Sequence, residues 1–149
     1  MVGAEEEDDE GDGTITYPVE FVIFDTPLSL QASGSSKDDW KDKVKSAAKA
    51  VLPKFFMLED KPLAAQIIYF APDVMEGDID NIVKPILDAL GGVAYKDDGS
   101  LEAVAVQKIE PGVIVEFVSP TPTLLEAIDG DPPAVYIRVW DDLSWRVLP

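Results

Sequence analysis

Asp80, Lys84 and Asp88 recur every four residues. In a helix that spacing lays them along one face, drifting roughly 40° per step. Asp78 precedes them, and Asp80 or Asn81 is expected to cap the helix N-terminus. About ten residues beyond Asp88, Asp97-Asp98-Gly99 adds carboxylates in a turn. Carboxylates gathered around one lysine repel one another unless a cation compensates them. With no soft ligand beside them, they suit Mg²⁺ or Mn²⁺. The chemistry this supports is metal-assisted phosphodiester hydrolysis. An isolated Asp-x-Asp-Asn is commonly only a cap or turn; the added Lys at +4, Asp at +8 and second acidic turn favour a site. An EF-hand loop starting at Asp78 fails, because Ile82 and Val83 fall where a ligand and a glycine are needed.

The pattern Asp-x-Asp-Asn-x-x-Lys-x-x-x-Asp-Ala-Leu, followed by Asp97-Asp98, resembles the RusA family of Holliday-junction resolvases. The resemblance runs from about Tyr17 to Lys108 and is sharpest over 78–98. Upstream, strand-like 17–25 leads into Pro27-Leu28-Ser29-Leu30-Gln31-Ala32, and a helix containing Trp40-Lys41 follows. The resemblance implies a small α+β homodimer that cuts four-way DNA junctions with Mg²⁺. It implies Asp78, Asp80 and Asp98 as metal ligands, Lys84 as the contact near the scissile phosphate, and Asp88 as a structural helical acid. The step from Asp88 to the acidic pair is one residue shorter than the family's, so Asp97 stands as the alternative to Asp98.

Composition excludes other chemistries. The 149 residues contain no cysteine and no histidine. That removes disulfides, thiolate or imidazole metal sites, and any Ser-His-Asp or Cys-His nucleophile. No phosphate-binding Gly-x-x-x-x-Gly-Lys-Ser/Thr loop is present. No apolar run approaches the roughly 18 residues of a membrane span and no signal-peptide pattern opens the chain, so cytoplasm is the default expectation.

The net charge of −17 runs against DNA binding, which rests on Lys and Arg. Seven of the 29 acids (Glu5, Glu6, Glu7, Asp8, Asp9, Glu10 and Asp12) lie in an N-terminal arm, leaving 22 against 12 bases, or −10. Residues 1–13 read as a disordered acidic tail, and 14–149 as a single domain. Lys37, Lys41, Lys45 and Lys49 recur every four residues as a candidate DNA-binding stripe, or simply as the solvated side of an amphipathic helix. Three readings follow: an endonuclease on branched DNA, a nuclease on other structured or single-stranded DNA, and an acidic non-catalytic interaction protein that mimics DNA.

The elements that must position these residues form an α+β fold: a mixed or antiparallel sheet of four to five strands carrying two main helices. Strands are expected at 19–24, 65–70, 101–109 and 135–140. One helix runs to about Leu52, with Trp40, Val44, Ala47, Ala48 and Val51 as its apolar face. The acidic helix runs from about Asn81 to Leu90, ends at Gly91-Gly92, and holds Pro85 in its first turn or at a kink. Pro111-Gly112 turns the chain into Val113–Val118 as a hairpin, and a short helix covers Thr121 to Ile128. Val135, Ile137 and Val139, with Trp140 and Trp145, offer either core packing or a dimer surface.

The acidic arm generates a testable expectation. Deleting residues 1–13 tightens DNA binding at low salt, and the gain shrinks once the Debye length falls to about 8 Å. Titration of duplex DNA at two salt concentrations checks this; equal affinities at low salt contradict it.

Overall fold

The computed structural model describes residues 13–27, 34–58, 60–75 and 78–144; the acidic arm, Leu28–Ser33 and Trp145 lie outside them. The central feature is a four-stranded mixed sheet whose strands lie in the order Val19–Ile23, Ala134–Trp140, Leu63–Phe70, Leu101–Ile109. Its strands are β2 (Val19–Ile23), β4 (Leu63–Phe70), β5 (Leu101–Ile109) and β6 (Ala134–Trp140). β6 runs antiparallel to both β2 and β4, while β5 lies parallel to β4 on the sheet's edge. Two short strands, β1 (Gly13–Thr14) and β3 (Phe56–Met57), pair separately.

Helices α1 (Gly34–Ala50) and α2 (Asp80–Leu90) cover one face of the sheet. Trp40, Val44 and Ala48 of α1 are buried one helical turn apart, as the apolar spacing requires. Val51, expected on the same face, lies past the helix end and is 51% exposed. The core beneath joins Phe21, Ile67, Ile137 and Val139 to Ile82, Ile86 and Leu90 of α2. α2 is the crossover between the parallel strands β4 and β5, so sheet pairing sets its position.

Helix α3 (Pro122–Asp129) lies on the other face, where Leu124 and Ala127 pack with Ile68, Tyr136 and Ile109. Its anchor is polar. The Thr121 hydroxyl caps the helix by accepting from the Leu124 N–H at 3.1 Å, and donates to Glu20 Oε2 at 3.0 Å. The Tyr136 hydroxyl donates to the same carboxylate oxygen. Three elements thus meet at one acid.

Two expectations change. Val135, Ile137 and Val139 are wholly buried on β6, the strand paired on both sides, so they are core and offer no dimer surface. Pro111 and Gly112 do form a turn, with the Val113 N–H donating to Glu110 O at 3.2 Å and Gly112 at φ +87°. Val113–Val118, however, forms no strand, and no hairpin results. Proline at the second position and a left-handed glycine at the third are the type II pattern, whose twist splays flanking strands. The chain instead leaves the edge, and Phe117 packs against Phe70 with ring centroids 6.3 Å apart.

No helix among the described residues is long and apolar enough to cross a membrane. For α3, Thr121→Ala removes both the cap and a partner of Glu20. It is expected to cost about 1–2 kcal/mol in urea unfolding, with Thr121→Ser recovering most of the loss.

Candidate functional site

Helix α2 carries the acidic motif on the side opposite its buried Ile82, Pro85, Ile86, Ala89 and Leu90. The helix begins at Asp80, with Ile79 at the capping position and no side-chain cap. The expected cap by Asp80 or Asn81 is therefore not formed. Backbone bonds close the first turn instead, from Asn81 N–H to Asp78 O and from Ile82 N–H to Ile79 O, both at 3.2 Å. Asp80 sits in the first turn, where the helix dipole favours an anion. Asp78, just outside, is exposed.

Pro85 is the sixth residue of the helix, not in its first turn. It cannot donate to the carbonyl one turn back, and its buried ring fills core instead. The helix ends with Gly91 N–H on Leu87 O at 3.2 Å, and the left-handed residue is Gly92 at φ +81°.

Two tyrosines fix the turn that brings Asp97 and Asp98 to this face. The Tyr95 hydroxyl donates to Leu87 O at 2.7 Å and that of Tyr17 to Ala94 O at 2.9 Å. Asp97 spends Oδ1 accepting the Gly99 N–H at 2.7 Å, which closes the 3-10 turn Asp98–Ser100. Asp98 points to Lys84 instead: Lys84 Nζ lies 4.0 Å from Asp98 Oδ2 and 2.8 Å from Asp88 Oδ1. Lys84 thus bridges the acidic helix and the acidic turn. The Asp88 carboxylate, and then Asp98, hold its ammonium above the usual lysine range.

The carboxylates fall into two groups. Asp80 and Asp88 are eight residues apart, roughly 12 Å along the helix axis, so they cannot share one ion. Asp98 joins Lys84 and Asp88, while Asp78 and Asp80 stand at the helix start. Among the described residues no three acidic side chains gather as a formed cation cage. The donor set itself, carboxylates without thiolate or imidazole, suits a hard divalent cation.

Sequence reasoning missed Glu110. Its Oε2 accepts the Met75 N–H at 2.8 Å and pairs with Lys108 Nζ at 3.1 Å. Those two donors, the amide first, hold its carboxyl below the usual range. The clamp ties the loop that leads to Asp78 onto the end of β5. A signal was present in Glu110-Pro111-Gly112, a turn directly after a strand. Tyr95 and Tyr17 carried none, because nothing local marks a tyrosine that reaches a distant carbonyl.

The lysine stripe exists but is diluted. Lys37, Lys41 and Lys45 are half-buried along α1 and Lys49 is exposed. Their drift spreads them over roughly 120° of helix surface, a sector that also holds Asp38 and is bordered by Asp42. Lys43 lies off the stripe and pairs with Asp25. α1 packs directly beside α2, which puts the stripe on the neighbouring helix of the acidic face.

A protein-family model described as Endodeoxyribonuclease RusA matches residues 31–117, a span holding every candidate residue from Lys37 to Asp98. No curated protein matches the chain.

The Tyr95 hydroxyl tests the packing under the site. Burial, followed by the Asp98 and Asp88 charges, pushes it well above the ordinary tyrosine value of 10.0. The folded state thus keeps a proton that the unfolded chain releases, so stability is present below about pH 10 and falls as pH rises past it. Tyr95→Phe is expected to flatten that alkaline loss in denaturant titrations, at a cost of about 1 kcal/mol at neutral pH for the lost bond to Leu87. An unchanged alkaline slope contradicts it.

Proposed function

The chain belongs to the RusA family of Holliday-junction endodeoxyribonucleases, and on that footing we propose that it hydrolyses phosphodiesters in branched DNA with a divalent cation. The observation that carries this reading is Lys84, 60% exposed and set between Asp88 and Asp98 on the acidic face. A solvated ammonium ringed by carboxylates adds little stability. It does offer a fixed positive charge where phosphate must approach an acidic surface.

Asp78 and Asp80 from the helix start and Asp98 from the turn would hold the cation, Mg²⁺ or Mn²⁺, whose charge would draw the two groups of carboxylates toward each other. Asp97 is the weaker candidate because its carboxylate closes the turn. When bound, the cation supplies a Lewis acid that lowers the pKa of a coordinated water and offsets phosphate charge. The residues of the chain do the rest. Asp88 holds the Lys84 ammonium in place and shifts its pKa further upward. Lys84 meets a non-bridging or leaving oxygen and stabilises the charge that develops there. Lys37, Lys41, Lys45 and Lys49 supply phosphate contacts beside the site. Two symmetric cuts in a four-way junction call for two copies of the site, hence a homodimer.

Cleavage of a synthetic four-way junction in Mg²⁺, beside a linear duplex, tests this. The protein is expected to cut the junction in preference. Asp80→Asn and Asp98→Asn each lose roughly 100-fold or more in rate while keeping the fold. Asp97→Asn keeps most activity, since a carboxamide oxygen still accepts the Gly99 N–H. Equal rates in all variants end the assignment. No cleavage by the native chain moves the acidic interaction protein ahead; preference for single strands favours the nuclease on other DNA.

A further inference from the structure

The sheet face opposite α1 and α2 receives α3 over Ile68, Tyr136 and Ile109. Beyond that cluster lie two cross-strand rows on the same face. Register sets Glu20, Arg138, Gln66 and Ala105 in one row, and Trp140, Ala64 and Ala103 in the next. Arg138 is the unusual member. Its guanidinium lies over the Trp140 ring, 5.1 Å from the centroid, and its buried Nε has no hydrogen-bond partner. The chain holds 29 acids, yet among the described residues none forms an ion pair with Arg138. Glu20, directly across from it in register, accepts instead from Thr121 and Tyr136. Glu20 is also the one acid in the two rows, so the rest of the patch is neutral or positive.

We propose that Arg138, Gln66 and Gln107 form a binding site for a nucleoside 5′-phosphate, free or at the end of a strand. A guanidinium held by stacking keeps its fork of N–H donors, and phosphate oxygens match that fork bidentately. The chain offers this cation no carboxylate, so an outside anion meets no internal competitor. Beside it a shallow recess of about 130 Å³ is lined by Gln66, Ala105, Val106 and Gln107. Gln66 is the cross-strand neighbour of Arg138 and joins the recess to the guanidinium. Each glutamine amide offers donors and an acceptor, the combination that a nucleobase edge presents in return. From β6 to β5 is two strand spacings, about 10 Å, a span that a nucleotide bridges and a bare oxyanion does not. A lone carboxylate is satisfied by the guanidinium and leaves the recess empty. The site stands across the sheet from Asp80 and Lys84. Arg138 and Trp140 also lie outside residues 31–117, which the family model matches. The inference thus goes beyond the nuclease reading and does not depend on it.

Calorimetric titration of the full chain with deoxyadenosine 5′-monophosphate tests the site. EDTA is present, so that no divalent cation enters the acidic face. The nucleotide is expected to bind, and inorganic phosphate and acetate to bind more weakly. Arg138→Gln weakens nucleotide binding by roughly tenfold or more. Arg138→Lys, which keeps the charge and loses the fork, recovers only part of it. Ala105→Glu changes an exposed position and brings a carboxylate into the recess. It is expected to weaken binding to a similar degree with an unchanged melting temperature, so the test stands even where Arg138→Gln unfolds. A 5′-phosphorylated oligodeoxyadenylate separates the two sources: tighter binding than the mononucleotide assigns the site to strand ends, and weaker binding to the free ligand. Three outcomes overturn the proposal: no heat at millimolar nucleotide, inorganic phosphate or acetate bound as tightly as the nucleotide, or native affinity in either Arg138→Gln or Ala105→Glu.

Discussion

Burial of one whole side of α2 against the sheet is the constraint on which the placement of the acidic residues depends. The acidic segment runs from Asp78 and Asp80 at the start of α2, through Asp88 on its outer face, to Asp97 and Asp98 in the turn beyond its end, in a chain at −17. It is held because the opposite side of α2 is buried over its whole length and because α2 is the crossover of a parallel strand pair. Lys84 pairs with Asp88, yet at 60% exposure it contributes little stability of its own. Apolar burial therefore fixes where these acids stand.

Distant contacts refine this arrangement. Tyr95 and Tyr17 hold the 91–97 turn from below, Glu110 holds the approach to Asp78 from the end of β5, and Asp97 closes its own turn. Asp97 and Asp98, equivalent by spacing, become different by environment: one is consumed by backbone and the other faces the lysine. The helix start shows the same logic. Backbone bonds close its first turn, so no carboxylate is spent on capping.

Much of this was legible in the residues. The period-two alternation of 101–109 marks β5 at its observed bounds, and the four-residue spacing of Asp80, Lys84 and Asp88 correctly laid them on one helical face. The short helix expected over Thr121 to Ile128 is α3, found at Pro122–Asp129, though the cap that Thr121 supplies was not foreseen. What failed depended on features that local pattern does not carry. Val113–Val118 has strand composition, but the hand of the turn before it decides whether it pairs. Val135, Ile137 and Val139 read equally as core or interface until strand order put β6 at the centre. Whether Asp78 and Asp80 approach Asp98 depends on the geometry of the crossover, to which residue types are blind.

The central claim is that the acids at the start of α2 and in the turn beyond its end take up a hard divalent cation. Melting temperature measured against Mg²⁺ and Mn²⁺ concentration tests it without reference to any DNA substrate. A cation that binds only the folded chain raises stability by RT ln(1 + [L]/Kd). The native protein should therefore show a melting temperature that climbs with either ion, and Asp80→Asn should show a much smaller climb. A melting temperature that stays flat to saturating Mg²⁺ and Mn²⁺ in the native protein would contradict the account.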